Sequence, residues 1–288
     1  MVPRHISNNL RDAATKLAPE HHAMISPQGR QRLPLMLGVA LAIAVYVLGL
    51  VVLDINPWRV ITGFGKLGEI AWLMLPPDPE TWERAFRLMR SLLETICIAF
   101  LGTILAAIIA FPLGFLAARN IVPLRLPQFM TRRALDTVRG IDTLIWALIW
   151  INVVGLGPFA GVLAIMCSDI GSFGKLFSEA IEAADKKPVE GVMSSGGSRI
   201  EAVRFGILPQ ILPVMLSQVL YYFESNTRSA TIIGIVGAGG IGLFLSEQIR
   251  TLEWKQASFS ILLILIAVAL IDYASSRLRF AIIGAPRH

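Results

Sequence analysis

The sequence predicts an all-α integral membrane protein with six spanning helices and a glycine-rich broken segment after the fifth. Three observations carry that expectation. Only 16% of the 288 residues are charged and 55% are hydrophobic, with a mean hydropathy of +0.64, whereas an ordinary soluble domain carries about 25% charged residues. Apolar runs free or nearly free of charge recur along the chain, and about 20 such residues make a helix as long as the hydrocarbon layer is thick. Lys and Arg gather between alternate runs, as they do where cytoplasmic loops retain positive charge. The net charge of +6 therefore reads as membrane orientation and not as a nucleic-acid partner.

The elements follow in order. Residues 1–32 hold Pro3, Pro19, Pro27, five basic residues and the irregularly spaced His5, His21 and His22; they read as a solvated cytoplasmic tail, neither a metal site nor a signal peptide. Leu33 to Leu53 carries no charge and is the first span. Residues 54–90 contain Trp58, Trp72 and Trp82 among several glycines and prolines, which marks a periplasmic excursion with aromatic residues at the interface. Thr95 to Ala118 is the second span, with Pro112 near its end. Arg119, Arg125, Arg132, Arg133 and Arg139 come next against the single acid Asp136, a cytoplasmic signature. Thr143 to Ser168 is again uncharged, and Gly155, Gly157 and Pro158 divide it. The expected helices run over about 137–154 and 158–177. That division places Asp142 and Asp169 within the spans and returns the following loop to the cytoplasm. Cys97 and Cys167, the only cysteines, lie in apolar runs and read as packing residues.

Phe205 to Phe223 makes the fifth span. Ser229 to Ser246 is uncharged but holds Gly234, Gly237, Gly239, Gly240 and Gly242, which weaken a straight helix and predict a broken or re-entrant segment lining a cavity. Ala257 to Ala274, with Asp272 as its one charge, is the sixth span, and 280–288 forms a second cytoplasmic tail. Eighteen of the 26 Lys and Arg then fall on the side that carries both termini and the 119–139 and 175–204 loops. Within the latter, Ser194 to Ser198 reads as a turn between two short helical pieces, Ser178 to Ala184 and Ser198 to Phe205. On the second piece Ile200, Val203 and Ile207 share a face while Arg199, Glu201 and Arg204 lie elsewhere. An apolar ridge with a charged rim suits a groove on a soluble partner.

Two motifs sharpen the reading. Glu190, Gly196 six residues on, and Leu208-Pro209 twelve and thirteen beyond that resemble the ATPase-docking loop E-A-A-x(3)-G-x(9)-I-x-L-P of ABC importer permeases. Gly191 and Val192 replace its alanines, and Gly206 stands at its isoleucine. The run FESNTRSATIIGIVGAGGIG, Phe223 to Gly242, resembles the SNxRSATxxGxVGAGGIG segment of the permease subunit of phosphonate ABC importers. VVGLGPFAGVLA at 153–164, SEAIEA at 178–183 and Val189-Glu190-Gly191 belong to the same pattern, which covers roughly 92–279.

The resemblance implies the type I ABC importer permease fold, with a core over 91–279 that includes a coupling loop at 178–209. It implies an ABC ATPase dimer that binds ATP and Mg, a second permease copy, a periplasmic or surface-anchored phosphonate-binding protein, and an inner-membrane location with both termini cytoplasmic. The chain itself would bind no cofactor. Glu190, Gly191, Gly196, Arg199, Leu208 and Pro209 would form the coupling site. Glu224, Ser225, Asn226, Arg228, Ser229, Thr231, Gly237, Gly239, Gly240 and Gly242 would line the substrate pathway.

The residues also exclude alternatives. No G-x-x-x-x-G-K-[ST] occurs, so the energy source is another polypeptide. Gly237 to Gly242 matches G-x-G-x-x-G formally, but a membrane span offers no βαβ unit to hold a dinucleotide. An enzyme would need a convergent nucleophile, base or metal cluster, and all four histidines lie in the tails. A permease for another small solute such as methionine stays open, as does a secondary transporter, which would show paired broken segments in both halves. Glu224 and Arg228, four residues apart, fit either a structural ion pair or a site where Arg228 meets an oxyanion.

Overall fold

In the computed structural model, residues 29–54 and 57–284 are described; the expectations for the rest of the two tails lie outside them. Two units compose the chain, residues 1–69 and 70–288. The first holds helix α1, Gly29–Val52, whose segment Pro34–Val52 is long and apolar enough to span a membrane and is unburied throughout. The amphipathic helix α2, Pro57–Leu73, follows within the expected excursion.

The second unit is helical wherever it is ordered into elements. Helix α3, Trp82–Ala117, begins at Thr81, whose side chain accepts from Arg84 N. Then come α4, Arg125–Arg139; α5, Thr143–Val154; α6, Pro158–Glu182; and α7, Lys186–Ser194. A single turn, α8, Arg199–Glu201, runs through the π-helical stretch Ala202–Ile207 into α9, Leu208–Ile235. Helices α10, Ile241–Arg250, and α11, Trp254–Ile283, complete the unit. Among the described residues, five helices are long and apolar enough to cross a membrane, and a sixth span exists if α4 and α5, bent by 86°, are taken together.

Several expected boundaries are corrected. The third span does not run over 137–154. Helix α4 ends at Arg139, Gly140 terminates it, and Asp142 caps α5 by accepting from Leu144 N at 2.8 Å. A carboxylate at an N-cap satisfies backbone donors that the helix leaves open, so Asp142 sits at the break between α4 and α5, whereas Asp169 lies inside α6. At twelve residues α5 is about 18 Å long, short of the hydrocarbon thickness. Helix α6 continues to Glu182, so Ser178 to Glu182 end it, and the helix before the polar turn is α7. The fifth span reaches Ile235, which places the whole SNTRSAT run inside a helix. The break falls later, at Val236 to Gly240.

The core sits where α3, α6 and α9 meet. Small residues set how closely they approach: a Cβ on Gly102 would lie 2.7 Å from Ile165 Cβ, and one on Gly114 would lie 2.8 Å from Phe177 Cβ. Such contacts replace the hydrophobic drive that is lost between helices in lipid. One cluster joins Ile98, Ile165 and Ile233; another joins Phe173, Phe177 and Ile211. On the outer face of α3, Phe86, Leu93, Leu101 and Ile108 are exposed, an arrangement that suits lipid and not water. Both cysteines are free, and Cys97 is exposed rather than packed.

Candidate functional site

The polar segment between α6 and α9 is a built structure. Asp185 caps α7 by accepting from Lys187 N at 3.1 Å. Gln210 then clamps its start: Gln210 Oε1 accepts from Asp185 N at 2.9 Å, and Nε2 donates to the carbonyls of Asp185 and Gly206. Gly196 turns the chain at φ +86°, a conformation glycine adopts without steric cost. Ser198 and Glu201 form a reciprocal capping box that starts α8. At the base, Glu182 accepts from Arg119 N and from the Arg132 guanidinium, tying α6 to α4 and the end of α3. Glu182 and Arg132 were not among the expected site residues; their opposite charges, 50 positions apart, give no local pattern.

The expected coupling residues come together on this projection. Glu190, Gly191, Gly196 and Arg199 are exposed, and the side chains of Glu190 and Arg199 make no hydrogen bond or ion pair with the described residues. Leu208 packs against the core cluster while Pro209 is exposed. The apolar ridge is different from the expected one: Ile207 is buried in the core, whereas Ile200 is 80% exposed and Phe205 59%. The π turn adds a residue and rotates the register, so Ile200 and Ile207 do not share a free face. A concavity of about 650 Å³ lies between α7 and Phe205, lined also by Pro188, Gly191, Val192 and Glu201.

The expected pathway residues separate into three groups. Glu224 is buried and accepts from two guanidinium groups, Arg228 at 3.3 Å and Arg279 at 3.1 Å. The first partner was legible from the i,i+4 spacing. Arg279, from the far end of α11, was not. Arg228 itself is half exposed and shares a helical face with Tyr221, Ser225 and Ile232. Asn226 faces inward, donating through Nδ2 to Thr103 Oγ1 at 2.8 Å and to Asp169 Oδ2. Ser229 and Thr231 hydroxyls return to carbonyls four residues back.

The glycines form the third group and are buried architecture. Gly237 O accepts from Gly157 N at 3.0 Å, which joins the break after α9 to the turn before α6. Gly240 N donates to Glu94 Oε1 at 3.0 Å and Ile241 N to Thr95 Oγ1 at 2.8 Å. Gly237, Gly239 and Gly240 have positive φ. A Cβ on Gly239 would lie 2.8 Å from Pro158 N, and one on Gly242 would lie 1.9 Å from Thr231 O. Glu94 and Thr95, which hold this turn from α3, were not anticipated.

Comparison with known proteins agrees with this architecture. Residues 110–283 match the family described as binding-protein-dependent transport system inner membrane component. HtxC of Stutzerimonas stutzeri is 38% identical over 78% of this chain and 79% of its own length. The phosphite transport system permease protein PtxC of the same organism is 33% identical over 76% and 78%. The fold is similar to a chain of the inward-facing MetNI methionine ABC transporter, with a TM-score of 0.62 at 19% identity, covering 70% of this chain and 99% of that one.

Proposed function

The chain belongs to the binding-protein-dependent transport system inner membrane component family, and from that premise we propose that it is the permease subunit of an ATP-driven importer for phosphonate or a related phosphorus oxyanion such as phosphite. It is a multi-pass membrane protein, and the ATPase is a separate subunit. Two copies form the translocation unit, each presenting its α7 to α9 projection to one subunit of an ATPase dimer that binds ATP and Mg. A phosphonate-type binding protein delivers the anion on the opposite face. Both termini lie on the ATPase side, in keeping with the excess of Lys and Arg there.

The observation that carries the reading is the junction between the projection and the core. Gln210 at the start of α9 grips the start of α7, and α9 continues without interruption past Arg228 to the glycine turn. A push on the projection by closing ATPases moves the helix that bears the exposed cation, a rigid-body route between inward and outward openings. Arg228 on the exposed face of α9 offers charge-assisted donors to an oxyanion, while Glu224 holds it from behind and keeps the interaction shallow enough for release.

The test is uptake of radiolabelled phosphite by proteoliposomes that hold the permease and its ATPase, with binding protein added outside. Uptake requires ATP and both partners. Uptake without the ATPase would point to a secondary transporter, and methionine uptake without phosphite uptake would point to the other permease class. Arg228→Ala in an assembled complex lowers uptake; normal uptake would reduce Arg228 to a structural ion pair.

A further inference from the structure

A cavity of about 660 Å³ opens against the glycine turn, lined by Gly237, Gly239 and Gly240 on one side and by Ser91, Glu94 and Arg250 on others. Glu94 and Arg250 are the only charged groups among its lining residues. They come from different helices, α3 and α10, and do not pair with each other. Glu94 Oε1 is held by Gly240 N–H, while Oε2 has no hydrogen-bond partner among the described residues. The Arg250 guanidinium has no partner there either. The neighbouring cavity, about 520 Å³, shares Phe244 and is lined by Arg84, Arg87, Glu247 and Glu253, of which Arg84 pairs with Glu80. Its charges lie outside the first cavity and balance locally.

A free carboxylate oxygen and a free guanidinium lining one cavity suit one class of anion. The monoanion of a phosphorus oxyanion keeps a P–OH, which it loses with a pKa of about 6 in phosphate monoesters; sulfate at neutral pH has no proton to give. Resting on the reading of this chain as a phosphorus-oxyanion permease, we propose that the cavity is a station for the singly protonated oxyanion, with Arg250 donating to its charged oxygens and Glu94 Oε2 accepting from its P–OH. The bound carboxylate is fixed in place by the glycine turn, so the acceptor is preorganised. An unprotonated dianion brings its charge against Glu94 and is disfavoured, as is sulfate. Neither group is buried deeply enough to trap the anion, and both contacts exchange readily for water.

The assay uses the complete transporter with its ATPase and binding protein in proteoliposomes, radiolabelled phosphite, sulfate as competitor, and a pH range from about 5.5 to about 8, spanning the loss of the P–OH proton. Glu94→Gln keeps an acceptor for Gly240 N–H but replaces the other oxygen with a donor. The expected result is that uptake by the unaltered transporter falls more steeply with rising pH than uptake by Glu94→Gln, which also loses discrimination against sulfate. Arg250→Gln lowers uptake about ten-fold at sub-saturating phosphite, the cost of one charge-assisted hydrogen bond, and Arg250→Lys restores part of it. The binding protein is common to every arm, so only differences between variants count, and co-purification of the ATPase checks assembly. An unchanged pH profile in Glu94→Gln, or uptake by Arg250→Gln equal to that of the unaltered chain, overturns the assignment. Absence of ATP-driven phosphite uptake by the unaltered transporter overturns the functional reading instead, an outcome the variants cannot mimic.

Discussion

At the scale of single residues, the departures from the docking-loop pattern have different physical meanings. Gly206 stands where the pattern has isoleucine, and a Cβ there would lie 3.0 to 3.1 Å from the Val189 backbone and side chain. The glycine lets α7 lie directly on the π turn. Gly206→Ile is therefore expected to displace α7 and destabilise the protein by about 1–3 kcal/mol, the usual cost of overpacking, read as a lower midpoint in thermal unfolding of the detergent-solubilised chain and as weaker ATPase stimulation. Gly191 is the opposite case: nothing lies within 4 Å of its missing Cβ, and it is inside a helix. Gly191→Ala should raise stability by up to about 1 kcal/mol through helix propensity, and a lower unfolding midpoint would contradict that account. Both departures were visible in the sequence. Their meanings were not, because the neighbour that decides Gly206 is 17 residues away in the chain.

At the scale of elements, the long apolar runs located α1, α3, α6, α9 and α11, because burial in lipid leaves an uninterrupted hydropathy signal. Elements shaped by caps were harder to read. The third span is expected over about 137–154, straight through Arg139 and Asp142; Gly140 and the Asp142 cap instead end one helix and start another within three residues. Ser194 to Ser198 marks the turn of the projection in the sequence, but the helix before that turn is α7, whereas the segment expected there, Ser178 to Ala184, belongs to the end of α6 and its cap. Ser198 supports the second half of the projection through its capping box with Glu201. Ser198→Ala should cost about 1 kcal/mol locally. Hydrogen exchange of the amides of residues 199–207 would detect it as faster exchange confined to α8 and the π turn, with α9 beyond Ile211 unaffected. Uniform protection would show that Gln210 and the Gly206 contact hold the segment without the cap.

At the scale of the whole molecule, the core of the second unit is held at its centre by one polar cluster as well as by packing. Thr103 of α3, Asp169 of α6 and Asn226 of α9 are all buried, and Asn226 Nδ2 donates to both of the others. The sequence singled out Asn226 as a pathway residue and Asp169 as a charge inside a span, yet their meeting depends on three helices crossing at one level and leaves no trace in spacing. Asn226 is thus placed to fix the register of α3, α6 and α9, while beside it Ser225 is partly exposed and Arg228 exposed. The energetic asymmetry of buried polar groups makes the arrangement testable. Removing one partner leaves the other without its hydrogen bond at the full cost of its burial, about 1–3 kcal/mol, whereas replacing both by apolar groups of similar shape comes close to neutral. Asn226→Leu alone should therefore lower the unfolding midpoint more than Asn226→Leu combined with Asp169→Leu. If the double variant is the less stable by the sum of the two single effects, the pair is not coupled and the register of α6 and α9 rests on apolar packing such as that of Phe173 and Phe177 with Ile211. If the double variant recovers stability but loses transport, the cluster's role is to hold the helices in the geometry that couples the projection to the glycine turn.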